Sequence, residues 1–311
     1  MIEGQEGVRW PDWVAIARAC EENGIPALFR SDHYMNLDGQ HLERDALDAW
    51  GTLCGLAAIT STLRLGTLVS PATFRHPSNL AKLAATADHI SGGRVEVGLG
   101  AGWHKREHEA YGFPFAATPK RVDVLAEQLQ VVLGCWAEEP FSFDGEHYRL
   151  RDLDARPKPV QRPHPALIMG GNAGPRSAAL AARYADEYNT PFPTVDDVRA
   201  RRQQIIEACS QAEREPIPFS IMTAVIPGAD TAELRERSRR QLEWLGSGQD
   251  VDAFLADPPH GWIVGTADEV LAQLDGLREA GVERVMCQQL VHDDLDAIAL
   301  LGEISPRVAG Q

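Results

Sequence analysis

The chain is short of basic charge: 30 lysines and arginines stand against 45 aspartates and glutamates, a formal charge of −15 with a pI near 5.1. A surface of that sign repels polyanions over a broad contact, so nucleic acid is not an expected partner. Long apolar runs are missing too. Nothing approaches the roughly 18 to 20 consecutive apolar residues that a membrane helix needs, and the opening stretch carries Glu3 and Glu6 where a signal peptide would be basic and then apolar. No membrane partner is expected, and the expected location is the cytoplasm. Cysteine is sparse. Cys20, Cys54, Cys135, Cys209 and Cys287 are odd in number, widely spaced and without a CxxC pair, which predicts buried thiols of a reducing compartment. There is no Pro/Gly/Ser-rich linker, low-complexity tract or repeat, so residues 1–311, 44% of them hydrophobic, are expected to fold as a single domain.

What the chain does have is a regular alternation of short apolar runs with stretches of helical period, which implies a parallel sheet covered by helices. Strands are expected in or before Met1–Glu6 and at Ala27–Arg30, Arg64–Val69, Val95–Leu99, Ala166–Met169, Glu187–Asn189, Phe219–Val225 and Arg284–Gln288. Helices are expected between them: one opened by Pro11 with Trp13, Ile16, Ala17 and Cys20 on one face, then Leu47–Thr60, Pro77–Ile90, Pro119–Ala137, Arg176–Tyr184, Val195–Ala212, Ala232–Leu245 and, after an extra helix at Ala267–Ala280, Leu295–Leu301. Asp144-Gly145, inside the alternating stretch Phe141–Tyr148, signals an inserted hairpin. Eight strands fit a (β/α)8 barrel, whose usual size is about 250 residues before insertions, and an open doubly wound sheet is the alternative that periodicity leaves.

Chemistry in such a barrel sits at the carboxyl ends of the strands, and four of these junctions are unusual. Gly170-Gly-Asn-Ala-Gly-Pro-Arg176 lies between a strand and a helix, where glycines let backbone N–H groups converge on a phosphate at the helix N-terminus, with Arg176 adding a charge-assisted bond; the plainer reading is a tight βα turn. Gly98-Leu-Gly-Ala-Gly102 resembles the start of a dinucleotide fingerprint, but its third glycine comes one residue early and no acidic residue follows about 20 positions on. Small residues there would instead let a flat ring or a side-chain platform approach the backbone. His104-Lys-Arg-Glu107-His108 matches the inverted zinc-protease pattern, yet a glycine-rich entry and a barrel context do not suit that site. No metal is expected; a charged, solvent-facing helix start with Glu107 or His108 turned inward is. In Ser31-Asp32-His33, neighbouring residues point to alternating sides, so no triad can form, and His33 is the best proton-transfer candidate, weighed against a histidine that only pins its loop.

Read together, these junctions resemble the luciferase-like family of flavin and deazaflavin oxidoreductases, and most of all its branch dependent on coenzyme F420. The resemblance is carried by Phe29-Arg-Ser-Asp-His33, Leu65-Gly-Thr-Leu-Val69 with Thr73-Phe-Arg-His-Pro77, Asp88-His-Ile-Ser-Gly-Gly-Arg-Val95 running into Gly98–Trp103 and Glu107-His108, and Gly170-Gly171 with Ala182-Arg-Tyr-Ala-Asp186. It implies a luciferase-like (β/α)8 barrel. It also implies that His33 contacts cofactor or substrate, that Leu68-Val69 is a non-prolyl cis peptide behind the cofactor ring, and that Gly170, Gly171, Asn172 and Ala173 hold the cofactor phosphate. Asp32, Gly102, Arg106 and Arg176 complete the expected cofactor-binding set, and Trp103 and Glu107 the expected substrate-binding pair. Two features depart from the family: Trp103 stands where its sugar-phosphate dehydrogenases carry an acidic glutamate, and the first strand is short, so it is a stub or begins upstream of Met1.

The expected activity is hydride transfer between F420 and a C=O, C=C or C=N of a small organic substrate, with His33 as the proton donor or acceptor. The alternatives are an FMN-dependent monooxygenase and a flavin- or F420-binding protein without turnover. The expected substrate lining comes from Met35–Arg44, Ala137–Tyr148 and Gly246–Trp262, and a homodimer is implied by the resemblance.

Overall fold

A computed structural model describes residues 1–39 and 41–308. The elements run α1 (Trp10–Glu22), β1 (Ala27–Arg30), α2 (Ala49–Ile59), β2 (Arg64–Thr67), β3 (Ser70–Pro71), α3 (Pro77–Ser91), β4 (Val95–Gly100), α4 (Lys105–Tyr111), α5 (Thr118–Trp136), β5 (Phe141–Asp144) and β6 (Arg149–Leu153). There follow β7 (Ala166–Gly170), α6 (Pro175–Tyr184), β8 (Glu187–Pro191), α7 (Val195–Gln211), β9 (Phe219–Gly228), α8 (Thr231–Trp244), α9 (Val251–Ala256), β10 (Ile263–Thr266), α10 (Ala267–Glu279), β11 (Arg284–Gln288) and α11 (Leu295–Val308). Parallel pairing links β1, β2, β4, β7, β8, β9 and β11 in that order. Ile2 bridges Arg30 at one end of this series and Gln289 at the other, so it is the eighth stave and the sheet closes into a (β/α)8 barrel.

Sequence accounts for most of this. In α1, Pro11 supplies the first turn and Trp13, Ile16, Ala17 and Cys20 form the buried face as their spacing requires. All six residues of β4 are buried, as befits a parallel strand covered on both sides. Gly92, left-handed at φ 68°, ends α3. The β5–β6 hairpin extends to Leu153 and lies along α5, where Glu127 accepts the N–H groups of Glu146, His147 and Tyr148.

The short first stave is as expected, and three other expectations need correction. The first stave is the Ile2 bridge alone: its N–H donates to Phe29 O (2.9 Å), Gln289 N–H donates to Met1 O (3.0 Å), and below it a cavity of about 620 Å³ opens between β1, β11, α1 and α11. That cavity is on the amino side of the barrel, opposite the junctions that carry chemistry. The strand expected over Arg64–Val69 leaves the ladder after Thr67, and β3 resumes it beside β4. Residues 246–262, expected as a loop, contain α9, and β10 extends the far half of β9; both are too short for their periodicity to register. Cys54 and Cys287 are only partly buried, whereas burial pushes the Cys20 thiol up to about 11. Among the described residues no helix is long and apolar enough to cross a membrane.

Candidate active site

The carboxyl end of the barrel is organised around Val69. The Leu68–Val69 peptide is cis, and the half-buried Val69 side chain lies across three glycines from two neighbouring strands. A Cβ on Gly98 would stand 2.1 Å from Thr67 O and 2.9 Å from Val69 Cγ1, one on Gly100 2.7 Å from Val69 Cγ2, and one on Gly170 3.0 Å from Val69 Cγ1. The platform expected from the small residues at the end of β4 is therefore this valine, seated where no side chain intervenes. Beneath it, Trp50 Nε1–H donates to Ser70 Oγ (3.0 Å), which donates to Asp32 Oδ2 (2.5 Å). Arg75 bonds both oxygens of buried Asp32 (2.6 and 3.1 Å) and reaches Asp48 (2.6 Å). Burial works against the Arg75 charge, but the Asp32 carboxylate more than offsets it and holds its pKa above the usual range. Asp32 thus braces the ledge from below.

Beside the ledge, α4 turns the HxxEH segment two ways. Lys105, Arg106 and Glu109 face solvent, with Arg106 over the Gly39 turn, while Glu107 and His108 are fully buried. His108 Nδ1–H donates to His104 O (2.7 Å), which leaves Nε2 to accept from the Thr73 hydroxyl (2.6 Å) among the rings of Phe74 and Phe115. The two histidines are engaged separately, His108 with Thr73 and His104 beside Glu107. Glu107 instead points to the loop after β1: Oε2 lies 2.7 Å from His33 Nδ1, and Oε1 accepts the backbone N–H of Tyr34 at 2.5 Å. Burial disfavours a charged His33, yet the Glu107 bond and the nearby carboxylates of Glu3 and Asp32 outweigh it, so its pKa lies above 6.5. His104 Nδ1 is 3.8 Å from Glu107 and buried without a hydrogen-bond partner, and burial keeps that imidazole below 6.5. Trp103 stands exposed at the rim, its ring edge-on to His33 at 6.0 Å.

The third feature is the loop from β7 to α6. Gly171 adopts φ 154° and Ala173 a left-handed φ of 51°. Buried Tyr188 holds this shape: its Oη accepts Ala173 N–H (2.7 Å) and lies 3.0 Å from Ser177 Oγ, while Gly171 N–H donates to Asn189 O (3.0 Å). Asn172 and Gly174 are exposed, and the first turn of α6 presents the unpaired N–H groups every helix start has. The N–H groups of Gly171 and Ala173 are thus engaged within the protein, and what stays exposed is Asn172, Gly174 and the start of α6. Arg176 is turned away from the loop, to Asp123 and to Pro119 O (3.2 Å) on α5.

A profile of the luciferase-like monooxygenase family matches residues 2–284. The chain belongs to that family. It is 29% identical over 252 residues to the FMNH(2)-dependent dimethylsulfone monooxygenase of Pseudomonas putida, spanning 76% of this chain and 67% of that protein. In fold it is similar to the coenzyme F420-dependent tetrahydromethanopterin reductase of Methanopyrus kandleri, with TM-score 0.80, 21% identity and coverage of 99% of this chain and 97% of the other. It is equally similar to the monooxygenase RslO1 of Streptomyces bottropensis, with TM-score 0.80, 25% identity and coverage of 96% and 93%.

Within this luciferase-like barrel, sequence reasoning missed several residues. Glu3, at the end of the first stave, is held by Gln288 Nε2 (2.6 Å) and Gln5 Nε2 (2.9 Å). Gln288 ends the last strand, a position that the carboxyl-end rule marks for inspection. Tyr188 lies inside β8, and nothing local to it signals that it shapes the loop after β7.

Proposed function

We propose that the protein transfers hydride between coenzyme F420 and a C=O, C=C or C=N of a small organic substrate. The observation that carries this reading is the His33–Glu107 pair beside the Val69 ledge, because hydride delivery to a polar double bond needs a proton held nearby. F420, when bound, supplies hydride at ring carbon C5. The chain's own residues do the rest. Leu68 and Val69 would back the ring, and the loop of Gly170, Gly171, Asn172 and Ala173, held in shape by the Tyr188 bond to Ala173, would hold the phosphate together with the first turn of α6. Gly102 and Arg106 border the cofactor, Asp32 steadies the ledge, Arg176 ties the loop to α5, and Trp103 forms the outer wall for the substrate. His33 Nε2, which has no hydrogen-bond partner among the described residues, would give or take the proton. Mixing the protein with reduced F420 and a panel of ketones, enones and imines, and following loss of the reduced cofactor by absorbance, tests this: substrate-dependent oxidation supports it, and none across the panel contradicts it.

A second reading, FMN-dependent monooxygenation, is favoured by the sequence similarity to the FMNH(2)-dependent dimethylsulfone enzyme. It requires oxygen consumption with FMN and a supplied flavin reductase. A binding role without turnover would give cofactor affinity and silence in both assays.

A further inference from the structure

We propose that Glu107 is a positioning residue, which fixes His33 from its Nδ1 side and leaves Nε2 as the single nitrogen offered to a substrate; this rests on the reading of His33 as the proton-transfer group. Glu107 was expected to contact substrate, but its side chain is completely buried and both oxygens are engaged. One takes the imidazole and the other takes the N–H of the next residue, Tyr34, so a single carboxylate on α4 secures both the ring and the backbone that carries it across more than 70 positions of sequence. A carboxylate accepts only, so the neutral imidazole must carry its proton on Nδ1 and keep Nε2 as a base, and the imidazolium gains the carboxylate's field. The other charged or titratable groups facing the ring are Glu3 from the first stave, Asp32 from its own loop and His104 from the start of α4. Among the described residues none of these three is hydrogen-bonded to the ring, whereas Glu107 is.

The test is ¹⁵N NMR of histidine-labelled protein without cofactor, combined with the pH profile of kcat. In the unaltered protein the account expects a neutral His33 with Nδ1 protonated and a titration midpoint above 6.5. In Glu107→Gln, which keeps the shape and removes the charge, the midpoint falls, and kcat drops on the order of 100-fold with cofactor Kd within about threefold. An unaltered protein whose neutral His33 carries its proton on Nε2 overturns the proposal without any variant having to fold. So does a midpoint that Glu107→Gln leaves in place. Because the spectra need no cofactor, a chain that fails to use F420 yet shows the Nδ1 tautomer would defeat the functional reading and leave the positioning intact.

Discussion

Two glycine-rich junctions of this barrel look alike in sequence and are used in opposite ways. In Gly98-Leu-Gly-Ala-Gly102 each glycine is filled by the chain itself: Thr67 O and Val69 stand over Gly98, Val69 over Gly100, and Thr73 Oγ1 would lie 2.9 Å from a Cβ on Gly102, which is also left-handed at φ 77°. In Gly170-Gly-Asn-Ala-Gly174 only Gly170 meets Val69; Gly171 faces the tip of Tyr188, and Gly174 has nothing within 4 Å. The first junction spends its missing side chains on self-packing that builds the ledge. The second leaves backbone open beside a helix start, which is what a ligand can use. Glycine spacing alone does not separate the two; what stands beside the backbone does.

On the proposed function, that contrast places stability in the first junction and cofactor affinity in the second, and it can be broken at several points. Gly98→Ala should have the largest effect, because the added Cβ meets a backbone carbonyl that cannot move aside: thermal melts should show a loss of about 3 kcal/mol, or the protein should not fold. His33→Ala should lower turnover about 100-fold or more while cofactor Kd stays within about threefold, as steady-state kinetics and titration would show. If the proposed mechanism holds, carbonyl reduction uses protonated His33, so its rate should fall as pH rises through a His33 value above 6.5, and the reverse oxidation should gain over the same range. Gly171→Val should weaken cofactor binding about tenfold, since φ 154° and Tyr188 Oη at 3.1 Å leave a branched side chain no comfortable place, at a stability cost of about 1–2 kcal/mol by calorimetry. Tyr188→Phe, which frees the Ala173 N–H, should cost about 1 kcal/mol and loosen cofactor binding less than Gly171→Val does. Gly174→Ala should be the smallest, within about 0.5 kcal/mol in the same melts.

The barrel was legible because most staves hold a short apolar run and the helices between them have buried faces, both local patterns, although β8 and the one-residue first stave give little of that signal. His33 was legible as a polar residue just beyond a strand. Its partner was not: Glu107 is 74 positions away on another junction, and the HxxEH spacing drew attention to the two histidines beside it. The Glu3–Gln288 contact spans 285 positions and closes the barrel, so no window of sequence contains it. The glycines at the end of β4 announced a close approach, but which side chain approaches depends on where the chain leaves β2, and that is a property of the assembled sheet.

The most direct test of the account is an equilibrium fluorescence titration of the purified protein with F420 and, separately, with FMN. The account predicts that F420 binds and FMN binds more weakly. FMN binding as tight as F420 or tighter would contradict it.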